Sequence, residues 1–333
     1  ILKMANNKYN LSKEYQFDIT VTDNTYAGKL ALPYVTAAVK SPDTVAKGYV
    51  RQIDGLNRKA VISNLGISDP IVAAACSFSS SNDTSLTEQV LTLTDLKVNE
   101  EICRGTVFPT WIGENMDRNG NLPGTFADFL LASVAAKAGA QLENGLWVSN
   151  TAGLFGAGFL SNDGVFDQNG LNASACADFT QSTLNSGAAT TNANIDDALA
   201  TVFNAVVGSH PGLLDKAGFG FYMNNKMYGF YGQFLTAAGT GQGINMRGSD
   251  QGIDGLTYLG YPIYRCPGMP DDAIVATYKE NMVFGTNLAT DWTEARLIPT
   301  YEYDGSDNVR IVMNFAVGVQ TGVKTDGVVG CIF

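Results

Sequence analysis

The chain has 333 residues, 45% hydrophobic and 16% charged, with Lys+Arg 21 against Asp+Glu 32 and a formal net charge of -11. That length allows one large or two ordinary domains with a sizeable core, and the low charge fraction excludes a mostly disordered polymer. The acidic balance excludes broad attraction to nucleic acid or anionic membrane, which needs clustered Lys and Arg, and a lone histidine, His210, excludes metal sites built on two or three imidazoles.

Residues 1–34 are polar, with short extended patches such as Phe17-Asp18-Ile19-Thr20-Val21 and no helical stripe. They are expected to form an arm that packs on something else. The first twenty residues lack the apolar centre of a secretory signal. From 35 to 82, alternating residues through Lys47, Tyr49, Arg51 and Ile53, the Asp54-Gly55 turn signal and a second run through Lys59 predict a long β-hairpin. An isolated ribbon of two strands is marginal in water, so this one needs a partner surface.

Residues 86–98, rich in Leu, Thr and Val, read as one strand. After Pro123-Gly124, Thr125 and Asp128 make a capping-box-like start for a helix over 124–144 that Asn144-Gly145 ends. Its stripe is Phe126, Phe129, Leu130, Val134, Ala138 and Leu142. At ~1.5 Å per residue it is a rod of roughly 30 Å. Few charges lie on its outer face, so both sides are expected to be covered.

Residues 150–194 carry loop signals rich in Gly, Asn, Ser and Thr. A second helix is predicted from Ile195 to Val207, capped by Asn194, with Ile195, Leu199, Val202, Phe203 and Val206 on one face. A strand from Ala217 to Met223, an Asn224-Asn225 cap and a helix from Lys226 to Ala238 complete a small α/β unit. Further strands are expected near 257–259, 263–266, 274–278 and 283–284. The tail is again β, with 297–303 and 308–320 flanking Asp304-Gly305, and Val309, Ile311, Met313, Phe315, Val317 and Val319 alternate along the second run. This order suggests that 83–147 and 285–333 build one domain around an inserted one.

No catalytic constellation emerges. Cys76, Cys103, Cys176, Cys266 and Cys331 are scattered without zinc or redox spacing. The Gly-rich stretches 153–158 and 239–243 lack a phosphate-cradling pattern, and the Asp/Asn/Gly clusters at 117–121 and 163–170 lack the full calcium loop. Asp196-Asp197 and Asp271-Asp272 suit helix or loop starts. Glu114 with Asp117 is a weak acid pair, and Ser209-His210 before a proline reads as a turn. No cofactor and no metal are expected. An arm, a ribbon and an extended last strand that one subunit cannot bury are features of a protein that assembles.

The ordered set of parts resembles the major capsid proteins of tailed bacteriophages, of the Hong Kong 97 fold. The likeness rests on the Leu86-to-Val98 strand, the long helix closing with Gln141-Leu142-Glu143-Asn144-Gly145, the segment Phe219-Gly220-Phe221-Tyr222-Met223-Asn224-Asn225, Leu259-Gly260-Tyr261-Pro262-Ile263 with Pro267-Gly268-Met269-Pro270, and the closing strand through Arg310-Ile311-Val312-Met313-Asn314-Phe315. It covers nearly the whole chain. The resemblance implies an α+β fold with an N-terminal arm (1–34), an extended loop (35–82), a peripheral domain (83–147 and 285–333) carrying the spine helix 124–144, and an axial domain (148–284). It implies a non-enzymatic virion protein that self-assembles as hexamers and pentamers into an icosahedral shell. Such a shell encloses double-stranded DNA without specific binding, meets portal, scaffolding and decoration proteins, touches no membrane and is assembled in the host bacterial cytoplasm. Candidate inter-subunit contacts are Phe17, Ile19 and Val21 in the arm and Lys47, Tyr49, Arg51, Ile53 and Lys59 in the loop. The start at Ile1 is compatible with proteolytic trimming. An encapsulin-like nanocompartment shell is the alternative within the same fold; a cytoplasmic hydrolase using Glu114/Asp117 or Ser209/His210 is the alternative outside it.

Overall fold

The computed structural model describes residues 24–27, 42–67, 84–103, 126–148, 158–160, 180–238, 255–287 and, between 294 and 331, all but 301, 302, 304, 307, 324 and 325. In chain order the first half contains β1 (Asn24–Ala27), α1 (Asp43–Ala46), β2 (Arg51–Ile53), β3 (Lys59–Ile67), β4 (Thr84–Thr92), β5 (Thr94–Cys103) and α2 (Phe126–Trp147). The middle contains β6 (Thr180–Thr183), α3 (Ile195–Ser209), β7 (Phe219–Met223), α4 (Asn225–Ala238), β8 (Thr257–Tyr258) and β9 (Tyr261–Arg265). The remainder is β10 (Ala273–Tyr278), β11 (Met282–Thr286), β12 (Glu294–Pro299), β13 (Asn308–Thr321) and β14 (Val328–Cys331).

Among the described residues these strands form two sheets and a ribbon. The first sheet runs β1-β12-β13-β11-β2, with β5 also on β13; the second runs β6-β14-β10-β7-β9-β8; β3 and β4 pair with each other. The long β13 organises the first sheet because its alternation supplies a continuous inner face: Val309, Ile311, Met313, Phe315 and Val317 are buried. β5 lies antiparallel along it from Asn308↔Cys103 to Val317↔Thr94.

The second sheet is covered on both sides. Tyr222, Ala273, Val275, Val329 and Cys331 belong to the core that also holds Leu131, Leu142, Leu146 and Trp147 of α2. Their strand neighbours Phe221, Met223, Ile274, Ala276 and Val328 belong to a second core, with Leu199, Val202 and Val206 of α3 and Met227, Tyr231 and Leu235 of α4. Successive residues point to opposite faces, so one sheet serves two cores. Near-continuous apolar runs such as Ala273-Ile274-Val275-Ala276 are what such a strand requires.

The expected helices and most expected strands are present, with four differences. The long helix does not end at Asn144-Gly145 but continues to Trp147, because Leu146 and Trp147 are fully buried and hold the last turn against the intrinsic weakness of glycine. The expected single strand 86–98 is two strands that part at Leu93, one in the ribbon and one in the first sheet. Asp54-Gly55 is not the hairpin turn: β2 before it pairs in parallel with β11, and the ribbon begins only at Lys59. Asn194 precedes α3 as expected, yet its side chain caps no helical N–H; its Oδ1 accepts from Thr191 N at 2.6 Å instead. Asn224 does cap α4, accepting from Met227 N at 2.8 Å.

Candidate inter-subunit surface

β3 and β4 form an antiparallel ribbon in which Val61 faces Val90, Ser63 faces Glu88 and Leu65 faces Leu86. These pairs share one face, since side chains alternate along a strand. That face is open: Val61 is 58% exposed, Leu65 57%, Leu86 60% and Val90 45%. Four large aliphatic side chains in two cross-strand pairs form a ladder, interrupted by the single carboxylate of Glu88. Exposed aliphatic side chains gathered on one face in this way make it a candidate docking surface. Among the described residues the ribbon has no further strand on either side.

Among the described residues the ribbon is buried at its base. Leu91 is fully buried and Leu93 nearly so. Leu93 N donates to Arg58 O at 2.8 Å, closing the two strands against each other, and Gln320 Nε2 of β13 donates to Val90 O at 3.2 Å.

Behind the base, the segment leading into the ribbon is fastened to the end of α2 by a buried carboxylate. Glu143 Oε2 accepts from Thr44 N at 3.1 Å, and Oε1 accepts from Thr44 Oγ1 at 2.5 Å and from Gly268 N at 3.3 Å. Trp147 Nε1 in turn donates to Thr44 Oγ1 at 3.2 Å. Burial pushes the Glu143 carboxyl above its ordinary range, against the lowering pull of these donors. Burial likewise pushes up the Cys266 thiol and the Tyr222 phenol. The Tyr222 hydroxyl donates to Tyr49 O at 2.8 Å, so three elements meet at this node.

Of the sequence-derived contact residues, Lys47 caps the C-terminus of α1, with its ammonium 5.9 Å from the Tyr49 ring. Tyr49 packs on Tyr264, with ring centroids 4.8 Å apart. Arg51 and Ile53 pair in register with Val283 and Gly285 of β11, and Arg51 Nε lies 3.8 Å from Glu280 Oε2. These four residues therefore engage the subunit's own body, while Lys59 opens the ribbon opposite Thr92. Phe17, Ile19 and Val21 lie outside the described residues, as do Glu114, Asp117 and the stretches 163–170 and 239–243. The exposed ladder residues Val61, Leu65, Leu86 and Val90 escaped the sequence reading. Their period-two spacing was visible, but only the pairing shows that both strands turn their large aliphatics to the same open side.

Elsewhere the surface offers little chemistry. Ser209 and His210 lie at the C-terminal end of α3, with His210 N donating to Val206 O at 2.8 Å. Asp271 accepts from Asn224 and pairs with Lys226 Nζ at 2.8 Å, a cap-and-ion-pair arrangement. Among the described residues no group of three or more His, Cys, Asp or Glu could hold a metal ion, and no helix is long and apolar enough to cross a membrane.

This α+β fold has counterparts among solved structures. The chain is similar to the satellite phage P4 procapsid including size determination (Sid) protein, at TM-score 0.55 and 11% identity, over 90% of this chain and 90% of that one. It is also similar to the capsid of the cyanophage P-SCSP1u, at TM-score 0.55 and 12% identity over 87% and 88% of the two chains. The capsid of an empty GTA particle matches at TM-score 0.52 and 14% identity over 88% and 90%. The chain thus has the fold of phage capsid structures, as the sequence resemblance implied. No family model matches the chain, and none of the curated proteins does.

Proposed function

We propose that this chain is the major capsid protein of a tailed-phage head, assembling as hexamers and pentamers into an icosahedral shell around double-stranded DNA. The observation that carries the reading is the ribbon's open apolar ladder, Val61, Leu65, Leu86 and Val90, on a subunit whose fold is shared with phage capsids. The ladder is satisfied when it lies on a neighbouring copy, and repeated head-to-tail contacts of this type close into rings. On this reading the arm 1–34, whose β1 belongs to the chain's own first sheet, wraps a neighbour through Phe17, Ile19 and Val21. The extended loop is 35–82, and its paired strands are β3 (Lys59–Ile67) and, past the boundary at 82, β4 (Thr84–Thr92). The remaining divisions, 83–147 with 285–333 and 148–284, are the peripheral and axial domains. The reading involves no catalysis, cofactor or membrane. Portal, scaffolding and decoration proteins are its partners, and assembly takes place in the bacterial cytoplasm. The net charge of -11 suits an inner wall that does not trap the polymer it contains.

Electron microscopy and light scattering of the purified chain test the reading. Closed particles of uniform size built from pentamers and hexamers are expected. A compact monomer at every concentration and salt, with the ribbon folded on its own body, would defeat it.

A further inference from the structure

The contact between the ribbon and the first sheet is narrow and unusual in composition. In the β11/β13 pair, Gly285 stands directly opposite Gly318. Two facing glycines remove both side chains from one patch of a sheet that is otherwise lined with Val, Met and Phe. The base of the ribbon fills that patch. A methyl group on Gly285 would lie 2.5 Å from Leu91 Cδ2 and 3.1 Å from Leu56 Cδ1. One on Gly318 would strike the carbonyl oxygen of Thr92, with Leu93 Cα at 3.3 Å. The contact continues along the same side of the chain, at steps of two residues from Gly318. Gln320 reaches Val90 O, and a methyl on Gly322 would lie 3.7 Å from Ile62 Cγ2. Both strands of the ribbon therefore rest on one line of small or adaptable residues.

We propose that the Gly285–Gly318 pair is the seat that sets the direction in which the ribbon leaves the subunit, and thereby positions the apolar ladder on a neighbouring copy. The second half rests on the capsid reading; the first does not. The ribbon is a lever: nine residues at ~3.3 Å make an arm of roughly 30 Å. Displacing its base by about 1 Å across a strand spacing of ~4.8 Å tilts it enough to carry the tip about 6 Å and the midpoint about 3 Å. The two glycines differ in what obstructs them. At Gly285 the obstacle is the flexible end of a leucine; at Gly318 it is backbone, which no side-chain rotation relieves.

That difference supplies the test. Spin labels at Ser63→Cys on the ribbon and at the exposed Cys103 of β5, with Cys76 and Cys176 replaced by serine, report the ribbon's direction in dissociated subunits by their mean separation. Gly318→Ala is expected to shift that separation by about 3 Å, the lever estimate for Ser63 at the middle of the arm, and adding Leu91→Ala does not restore it. Gly285→Ala is expected to shift it too, and Leu91→Ala in the same chain brings it back to the parent value. An unchanged separation in folded Gly318→Ala overturns the seat. If Gly318→Ala does not fold, an unchanged separation in Gly285→Ala, or a shift that Leu91→Ala leaves in place, overturns it equally. Particle formation is read separately. Loss of uniform particles in the shifted variants supports the positioning role, whereas a shifted ribbon with particles of unaltered size and yield overturns that role and leaves the seat standing.

Discussion

The second sheet and the ribbon use nearly the same amino acids for opposite ends. Ala273-Ile274-Val275-Ala276 of β10 and Val328-Val329 of β14 are buried on both faces, shared between the core under α2 and the core under α3 and α4. Val61, Leu65, Leu86 and Val90 are equally β-prone and equally apolar, yet about half or more of each is exposed. The difference lies in what the chain brings to them. Helices pack across the second sheet from within the chain, whereas among the described residues the ribbon is buried only around its base, at Leu91 and Leu93. Apolar strand residues are thus covered in one region and left exposed in the other.

The largest expected effect lies in the sheet. Phe221 is fully buried and stacks edge-on against Phe219 and Tyr258, with centroids 5.8 Å away in each case. Phe221→Ala should cost about 3–5 kcal/mol, read from urea unfolding of dissociated subunits. A loss no larger than that of a surface substitution would erase the contrast between the two regions.

Next comes the stem. Thr44→Val takes a hydroxyl donor from Glu143 and the acceptor from Trp147 Nε1, so about 1–3 kcal/mol is expected for the polar groups left unpaired in the interior. Stability equal to the parent would show that water replaces the hydroxyl and that the node is not sealed.

The same node makes a prediction about pH. Because burial raises the Glu143 carboxyl, the folded chain binds its proton more tightly than the unfolded chain does. The group's contribution to stability is complete below the ordinary glutamate value and is lost as pH rises through the raised one. Asp43 adds to the raising, while donors from Thr44 and Gly268 oppose it. In urea titrations between mildly acid and neutral pH, the difference between parent and Glu143→Gln should therefore change in that window. A constant difference would argue that the carboxylate is hydrated.

The smallest effect on the subunit is expected at the ladder. Leu65→Ser and Leu86→Ser remove exposed side chains, so each should alter the stability of dissociated subunits by no more than about 0.5 kcal/mol. Particle yield, followed by light scattering, should nevertheless fall. Undiminished assembly would leave the ladder without a partner, and a large loss of subunit stability would mean that the ribbon folds back on its own body.

Much of the body was legible along the chain. Helix α3 was readable from its stripe of Ile195, Leu199, Val202 and Val206, all buried, and β13 from the alternation of Val309 through Val317. Both signals are periodic over a dozen residues, and local periodicity is what a sequence displays directly. What stayed hidden involved contacts across long separations. Leu93 breaks a Thr/Leu-rich run into two strands because its amide is taken by Arg58 O while β5 is claimed by β13. The end of α2 ran past a strong stop signal because Trp147 is buried and bonded to Thr44, 103 residues away in sequence. Lys47, Tyr49, Arg51 and Ile53 looked like an outward-facing hairpin until β11 offered β2 a parallel partner.

By itself, then, the sequence determined the α+β class, the long helix, the small α/β unit and the final alternating strand, and the likeness to phage capsid proteins that these carry in their order. Strand and helix periods are set by residues a few positions apart, which is why they can be read one after another. Only the tertiary structure decided which apolar strands are covered and which stand open, because coverage depends on partners from tens to more than a hundred residues distant. The glycines at 285 and 318 show the limit most directly. Each is an ordinary residue in its own strand, and only their pairing under Leu91 and Thr92 makes them the place where the ribbon rests.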